Sequence, residues 1–197
     1  MPGRNWTKWF FEGALIVFSV LLALVISEAV DQRKANTQAR VAIERITLEL
    51  RSNSGIVSNW QQRHSAIARR LTELADNPEP LRGELFASGH LDLGLVTGQE
   101  SFIDAILADS AWQAAQATGL ASEFEYETVQ LLAATYALQS IVNEQTIKRF
   151  VAIYFDRDSH RPENLDGTIT QFRIILGELV GQEITLAQLY ADALEQL

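Results

Sequence analysis

Three histidines, a glycine-rich loop and two sets of carboxylates are the residues whose types and spacing invite a chemical reading. His64, His90 and His160 stand far apart in the sequence. None has a second histidine at the three- or four-residue spacing that a helix-borne metal pair needs. The absence of cysteine removes thiolate nucleophiles, thiolate zinc sites and cysteine-held clusters or haem. The stretch from Gly89 to Gly98 carries glycines at 89, 94 and 98 but no P-loop lysine and no clear strand ahead of it, so it reads as a turn. Asp156-Arg157-Asp158 opens like a calcium loop, yet Arg161 falls where that loop needs glycine and Gly167 where it needs a bidentate glutamate. Glu123, Glu125 and Glu127 alternate, and alternate residues do not share a helix face. They suit a helix start, where negative charge complements the dipole, better than a general acid and base. No Gly-x-Ser-x-Gly elbow occurs. The reading is of a protein that is not an enzyme, with no cofactor and no metal assigned.

The elements that would position any function begin with an apolar run. Gly13 to Ile26 contains no charge, and Phe10 and Phe11 precede it. Extended from Trp6 to about Val30, the run reaches roughly 20–25 residues, enough at about 1.5 Å per residue to cross a hydrocarbon core of about 30 Å. Trp6 and Trp9, with Arg4 and Lys8 beside them, are the expected membrane-interface residues at one end. The rival reading is a cleaved signal peptide, because Ser27-Glu28-Ala29 offers small residues at a plausible cleavage position. Charge divides along the chain: residues 1–75 hold ten Lys/Arg against six Asp/Glu, and residues 76–197 hold six against nineteen. The acidic distal part makes nucleic acid an improbable partner, and the basic proximal part suits anionic lipid.

Beyond the run, Ile43, Ile46, Leu50, Asn53, Val57, Trp60, His64, Ile67, Leu71 and Leu74 recur in alternating steps of three and four, a heptad seam. With no breaker ahead of it, the membrane helix is expected to continue into this one as a stalk. Two readings of the seam stand. It pairs with a second copy as a homo-oligomer, or it packs against helices of its own chain. Bulky Trp60 and the helix-weakening Ser52-Asn53-Ser54-Gly55 favour the second. Polar Asn53 and His64 would set register in either.

Pro78 and Pro80 end the helix near Asp76. A short segment follows at Leu81–Phe86, and Leu91, Leu93 and Leu95 alternate like a brief extended stretch. Phe102, Ile103, Ile106 and Leu107 predict an apolar helical stripe. Ser110 predicts the cap of a helix that stops at Gly119. A long helix is expected from the Glu123–Glu127 cluster to Phe155, with Leu132, Tyr136, Val142, Ile147, Val151 and Tyr154 among its inward residues. Two more are expected over Thr168–Val180 and from Thr185, the latter with a Thr185/Gln188 capping pair. Trp60, His64, Trp112 and Tyr136 are candidate protein-contact or core residues.

The segment Phe11-Glu12-Gly13-Ala14-Leu15-Ile16-Val17-Phe18-Ser19-Val20-Leu21-Leu22-Ala23-Leu24, with Arg33 and a long amphipathic helix behind it, resembles a broad group of uncharacterised bacterial bitopic membrane proteins. So do Ala111-Trp112-Gln113-Ala114-Ala115-Gln116-Ala117-Thr118-Gly119 and Tyr136-Ala137-Leu138-Gln139, similar to that group's Trp-and-Tyr helical pair. The resemblance implies a bacterial inner-membrane protein with its N-terminus in the cytoplasm and its domain in the periplasm, and it carries no activity.

The expected fold is all-α: a transmembrane helix within residues 1–30, an amphipathic stalk helix over 31–76, and a helical distal domain over 77–197 that packs with the stalk. The expected function is that of a non-enzymatic accessory, scaffolding or assembly subunit, with the lipid bilayer and other integral membrane proteins as partners. The alternative is a periplasmic sensor or small-molecule-binding module.

Overall fold

The computed structural model describes residues 6–197, apart from the side chains of residues 6–8 and Pro80. It is all-helical, with no strand among the described residues. Helix α1 runs unbroken from Trp6 to Asp76. No proline interrupts it, and Gly13 and Gly55 have nothing within 4 Å of where a Cβ would lie, so neither marks a close approach. It ends where expected: the Asn77 N–H still bonds Glu73 O at 3.1 Å, and Pro78 cannot continue the ladder.

The short helices α2 (Glu79–Leu85) and α3 (Leu93–Thr97) follow. The alternation of Leu91, Leu93 and Leu95 had predicted extended chain, but Asp92 caps α3 by accepting the Leu95 N–H at 3.1 Å. Gly98 closes it at φ 69°, a left-handed conformation that glycine takes without strain. Helix α4 spans Ser110–Ala117, and Gly119 turns left-handed just beyond it. A 3-10 turn, Leu120–Glu123, leads to α5 (Tyr126–Ser140), which passes through a π-helical stretch, Ile141–Thr146, into α6 (Ile147–Phe155). Of the residues expected inward here, Leu132, Tyr136, Val142 and Ile147 are buried, whereas Val151 is exposed. The inserted π turn shifts the register of the face behind it.

Helix α7 (Leu165–Gln196) is one element rather than the two expected. Its inward row, Leu165, Ile169, Phe172, Leu176, Leu179, Glu183, Leu186, Tyr190 and Ala193, is buried throughout. Burying each large apolar side chain contributes about 1.5–3 kcal/mol, which outweighs the roughly 1 kcal/mol that Gly177 and Gly181 each cost a helix. Thr185 does not cap; its hydroxyl donates to Gly181 O one turn back, at 3.1 Å.

Helix α7 packs antiparallel to α1, as His64 opposite Glu183 and the meeting of Asn53 and Tyr190 on Gln139 Oε1 require. The seam faces inward here: Ile46, Leu50, Asn53, Val57, Trp60, His64, Ile67, Leu71 and Leu74 are all buried within one chain. Truncating one of them, Leu50→Ala for instance, would cost about 2–5 kcal/mol.

Candidate functional site

Two features stand apart from ordinary packing: the exposed apolar rod and a polar layer inside the seam. From Trp9 to Gln38 every residue of α1 is exposed except half-buried Ala35, and Ala39 is the first to enter the core. The rod displays Phe10, Phe11, Leu15, Ile16, Phe18, Leu21 and Leu24 to the outside. It is the one helix among the described residues long and apolar enough to cross a membrane. Trp9 stands at its start, 71% exposed. Arg4 and the side chains of Trp6 and Lys8 lie outside the described residues.

Where the rod meets the body, the Gln32 amide donates to Glu123 Oε2 at 3.2 Å. Only about 3 Å of helix separates Gln32 from Val30. The body therefore begins immediately beyond the apolar run instead of standing off at the end of a free stalk.

Inside the seam, the polar residues hold a loop. Residues 101–109, whose Phe102, Ile103, Ile106 and Leu107 spacing predicts a helix, form none. Phe102 and Leu107 are buried while Ile106 is 81% exposed, so the apolar spacing is not one continuous stripe. Backbone groups of Phe102, Leu107 and Ala108 in this loop are bonded by side chains from distant helices. Asn53 grips Ala108 from both sides: its Nδ2 donates to Ala108 O at 2.6 Å and its Oδ1 accepts the Ala108 N–H at 2.9 Å. Gln139 donates to the same carbonyl at 3.0 Å and accepts from Asn53 Nδ2 at 3.1 Å and from the Tyr190 hydroxyl at 2.6 Å. Each buried polar atom in this network has a partner, which avoids the roughly 1–3 kcal/mol cost of an orphaned group.

About three turns further along α1, His64 Nε2 lies 2.8 Å from Phe102 O and Nδ1 lies 2.6 Å from Glu183 Oε1. Both side chains are wholly buried. A carbonyl oxygen can only accept, so Nε2 carries a hydrogen. The contact at Nδ1 needs one more proton between the two groups, so the pair is neutral overall wherever that proton sits. The second carboxyl oxygen, Glu183 Oε2, has no partner. His64 packs on Phe102 at a ring separation of 4.9 Å, Phe102 stacks on Phe150 at 3.8 Å, and Phe150 on Phe172 at 4.5 Å. This aromatic column ties α1, the loop, α6 and α7 into one layer.

Trp60 is buried and its indole N–H donates to Asp104 Oδ1 at 3.0 Å, the same oxygen that Arg63 contacts at 2.7 Å. These bonds, that from Arg63 foremost, hold the Asp104 carboxyl down to about 2. Trp112 and Tyr136 are also buried and stack with ring planes 7° apart. The Tyr136 hydroxyl donates to Glu49 Oε1 at 2.8 Å. Glu49 Oε2 accepts from the Ser110 hydroxyl at 3.0 Å and the Ala111 N–H at 2.9 Å. Helix α4 is thus capped by a carboxylate of α1, and Ser110, expected to be the cap, is its first helical residue. Burial pushes the Tyr136 hydroxyl up, and its bond to Glu49 adds to that; burial likewise raises Tyr190.

Trp60, His64, Trp112 and Tyr136 thus face the interior, and the structure does not gather them into one pocket. Sequence reasoning passed over Gln139 and Glu183; Glu49, which lies off the seam and reads from the sequence as part of a solvated face, instead bonds Ser110, Ala111 and Tyr136. The available signal for Glu183 was its register, four after Leu179 and three before Leu186 on an apolar row.

These features define an all-helical chain in which one helix supplies both an exposed apolar rod and the central seam of the body. Comparison with protein-family models, curated proteins and solved structures finds no match for this chain.

Proposed function

We propose that this chain is a single-pass, membrane-anchored accessory or scaffolding subunit without catalytic activity of its own. The observation that carries the reading is α1: its first part exposes apolar surface over a length of about 33 Å from Trp9 to Val30, and its remainder is built into the body. An apolar face of that size has no place in water, and its length matches a hydrocarbon core of about 30 Å. The polar groups of the seam are engaged in holding the loop of residues 101–109, which fits a body built for rigidity. Exposed Val151 and Phe155, one turn apart on α6, offer anchors for a neighbouring protein. The likeness to bacterial bitopic proteins supports an inner-membrane location with the N-terminus in the cytoplasm and the body in the periplasm.

The test is purification of the natively expressed protein in mild detergent, with native sizing and mass spectrometry of what accompanies it. Co-migration with a defined set of integral membrane proteins is the expected result. Migration alone, as a monomer or homo-oligomer, would remove the accessory-subunit reading.

A further inference from the structure

We propose that a polar basin at the end of the body farthest from the rod binds a small organic cation bearing ammonium groups, the class to which aliphatic diamines belong. The inference goes beyond the anchor reading and does not depend on it. The basin forms where α6 gives way to two 3-10 turns, Arg157–His160 and Pro162–Asn164, and to the first turn of α7. Arg82, just past the end of α1, bonds Pro162 O at 2.7 Å and Asp166 Oδ1 at 3.2 Å, which fixes the region at that end. Helix α1 runs roughly 55 Å from Ala39 to Asp76, so the basin opens far from the apolar rod and a water-soluble ligand can reach it.

The basin has a volume of about 310 Å³, the scale of a small-molecule site. Asp156, Asp158 and Glu163 stand around it with Asn164, and Ser159 and Thr168 line its buried part. Ser159 is 7% exposed and Thr168 4%, yet neither hydroxyl bonds another group of the protein. The contrast within α7 is direct. Thr170 and Thr185 return their hydroxyls to the carbonyl four residues back, at 2.7 and 3.1 Å, and Thr168 makes no such bond. A buried hydroxyl without a partner is costly, so the partner of these two must come from the basin itself.

Charge and hydrogen-bonding capacity choose the occupant. No cationic side chain and no aromatic ring lines the basin. Asp158 meets Arg161 Nε at 3.3 Å, but Asp156 and Glu163 take part in no ion pair among the described residues. Asn164 commits its Nδ2 to Asp158 O at 3.0 Å, which leaves its Oδ1 to accept. Two uncompensated carboxylates, an amide oxygen and two hydroxyls form a wall of acceptors that repels an anion and suits a cation rich in N–H donors. A single metal ion does not fit: among the described residues no three carboxylates or histidines come close enough together to hold one. A neutral sugar would leave the charge unmatched and find no ring to stack on.

Titration calorimetry of the full chain in mild detergent, with putrescine as the probe, tests the proposal. Saturable binding of one putrescine per chain is expected, with none for a butanediol of the same length or for calcium chloride. Asp156→Asn and Glu163→Gln should each weaken it about ten-fold, the loss of one charge-assisted hydrogen bond, and Thr168→Val several-fold. Glu195→Gln, an exposed carboxylate near the C-terminus, should change nothing. Gly167 also lines the basin, and a Cβ there meets nothing within 4 Å. Gly167→Leu should therefore fill the basin and abolish binding while keeping or raising Tm, since it removes a glycine from a helix. Because Glu163 is exposed, Glu163→Gln folds and reads the site even where Thr168→Val does not. Absence of saturable binding, equal affinity in the Glu163→Gln or Gly167→Leu chain, or butanediol binding as tightly as putrescine overturns the proposal. Calcium that binds and displaces putrescine overturns it in favour of a metal.

Discussion

Replacing His64 by alanine and Glu183 by glutamine should have very unequal effects, although each change removes one member of the same buried pair. His64→Ala leaves Glu183 with no partner on either oxygen, since Oε2 has none to begin with, and frees the Phe102 carbonyl. Leaving one member of a buried ionic pair uncompensated costs about 3–5 kcal/mol. Loss of the ring between Trp60 and Phe102 adds a cavity to that cost. Glu183→Gln keeps the volume and presents an amide N–H to Nδ1, while Nε2–H keeps its bond to Phe102 O. A neutral hydrogen bond replaces a charge-assisted one, at about 1 kcal/mol. For a chain of this size about 1 kcal/mol corresponds to roughly 2–4 °C in Tm. His64→Ala should therefore lower Tm by about 6–20 °C and Glu183→Gln by about 2–4 °C. Thermal unfolding of the full chain in mild detergent, followed by the fluorescence of buried Trp60 and Trp112, measures both. Equal losses in the two variants, or a His64→Ala protein as stable as the parent, would refute the arrangement of protons and partners described above.

Leu21→Arg should impair membrane insertion at a cost of about 3 kcal/mol for a central charge, read by fractionation and carbonate extraction; a variant that fractionates fully with membranes and resists extraction would contradict the anchor. Asn53→Leu should release the loop of residues 101–109, seen as faster proteolysis there, and leave the oligomeric state unchanged. A shift in oligomeric state would show instead that the seam pairs two chains. Because the Asp104 carboxyl is held at about 2 against an ordinary 3.8, its contribution to stability is present above about pH 4 and is lost as pH falls toward 2. Asp104→Asn should flatten that acid limb of Tm against pH, and superimposable limbs would refute it. Tyr136 and Tyr190 are raised, so their contribution is complete below pH 10 and is lost as pH rises above it. Their tyrosinate absorbance should therefore appear only together with unfolding, and full titration of the native chain near pH 10 would count against their burial.

What the sequence made legible was whatever depends on near neighbours. The end of α1 at Asp76 is written in Pro78 and Pro80, and the inward seam is written in a three-and-four spacing that any helix imposes. The loop of residues 101–109 was illegible because its apolar spacing imitates a helix, while its backbone partners, His64 and Asn53, lie 38 and 55 residues away. Two polar residues in an otherwise apolar seam were the visible trace of that loop. Unlike a leucine, each can bond backbone groups that have no helical partner. Helix α7 was divided at Gly181 because helix propensity counts the glycine and cannot count the buried row on the opposite face.

The continuity of α1 connects these layers. A helix that leaves the apolar run and enters the core without a proline, a left-handed residue or a change of period has no hinge of its own. Asn53 and His64 are fixed on the same rod that exposes Leu21, and the rotational setting of that rod is therefore set by the body. The register that places Asn53 against Ala108 also turns Gln32 toward Glu123 and Val41 into a groove beside α4. Slippage of α1 by one residue would turn the helix by about 100° and break all three contacts together. The buried polar residues thus fix which side of the rod faces the body, and with it which side of the exposed apolar run remains free for lipid or for a partner helix.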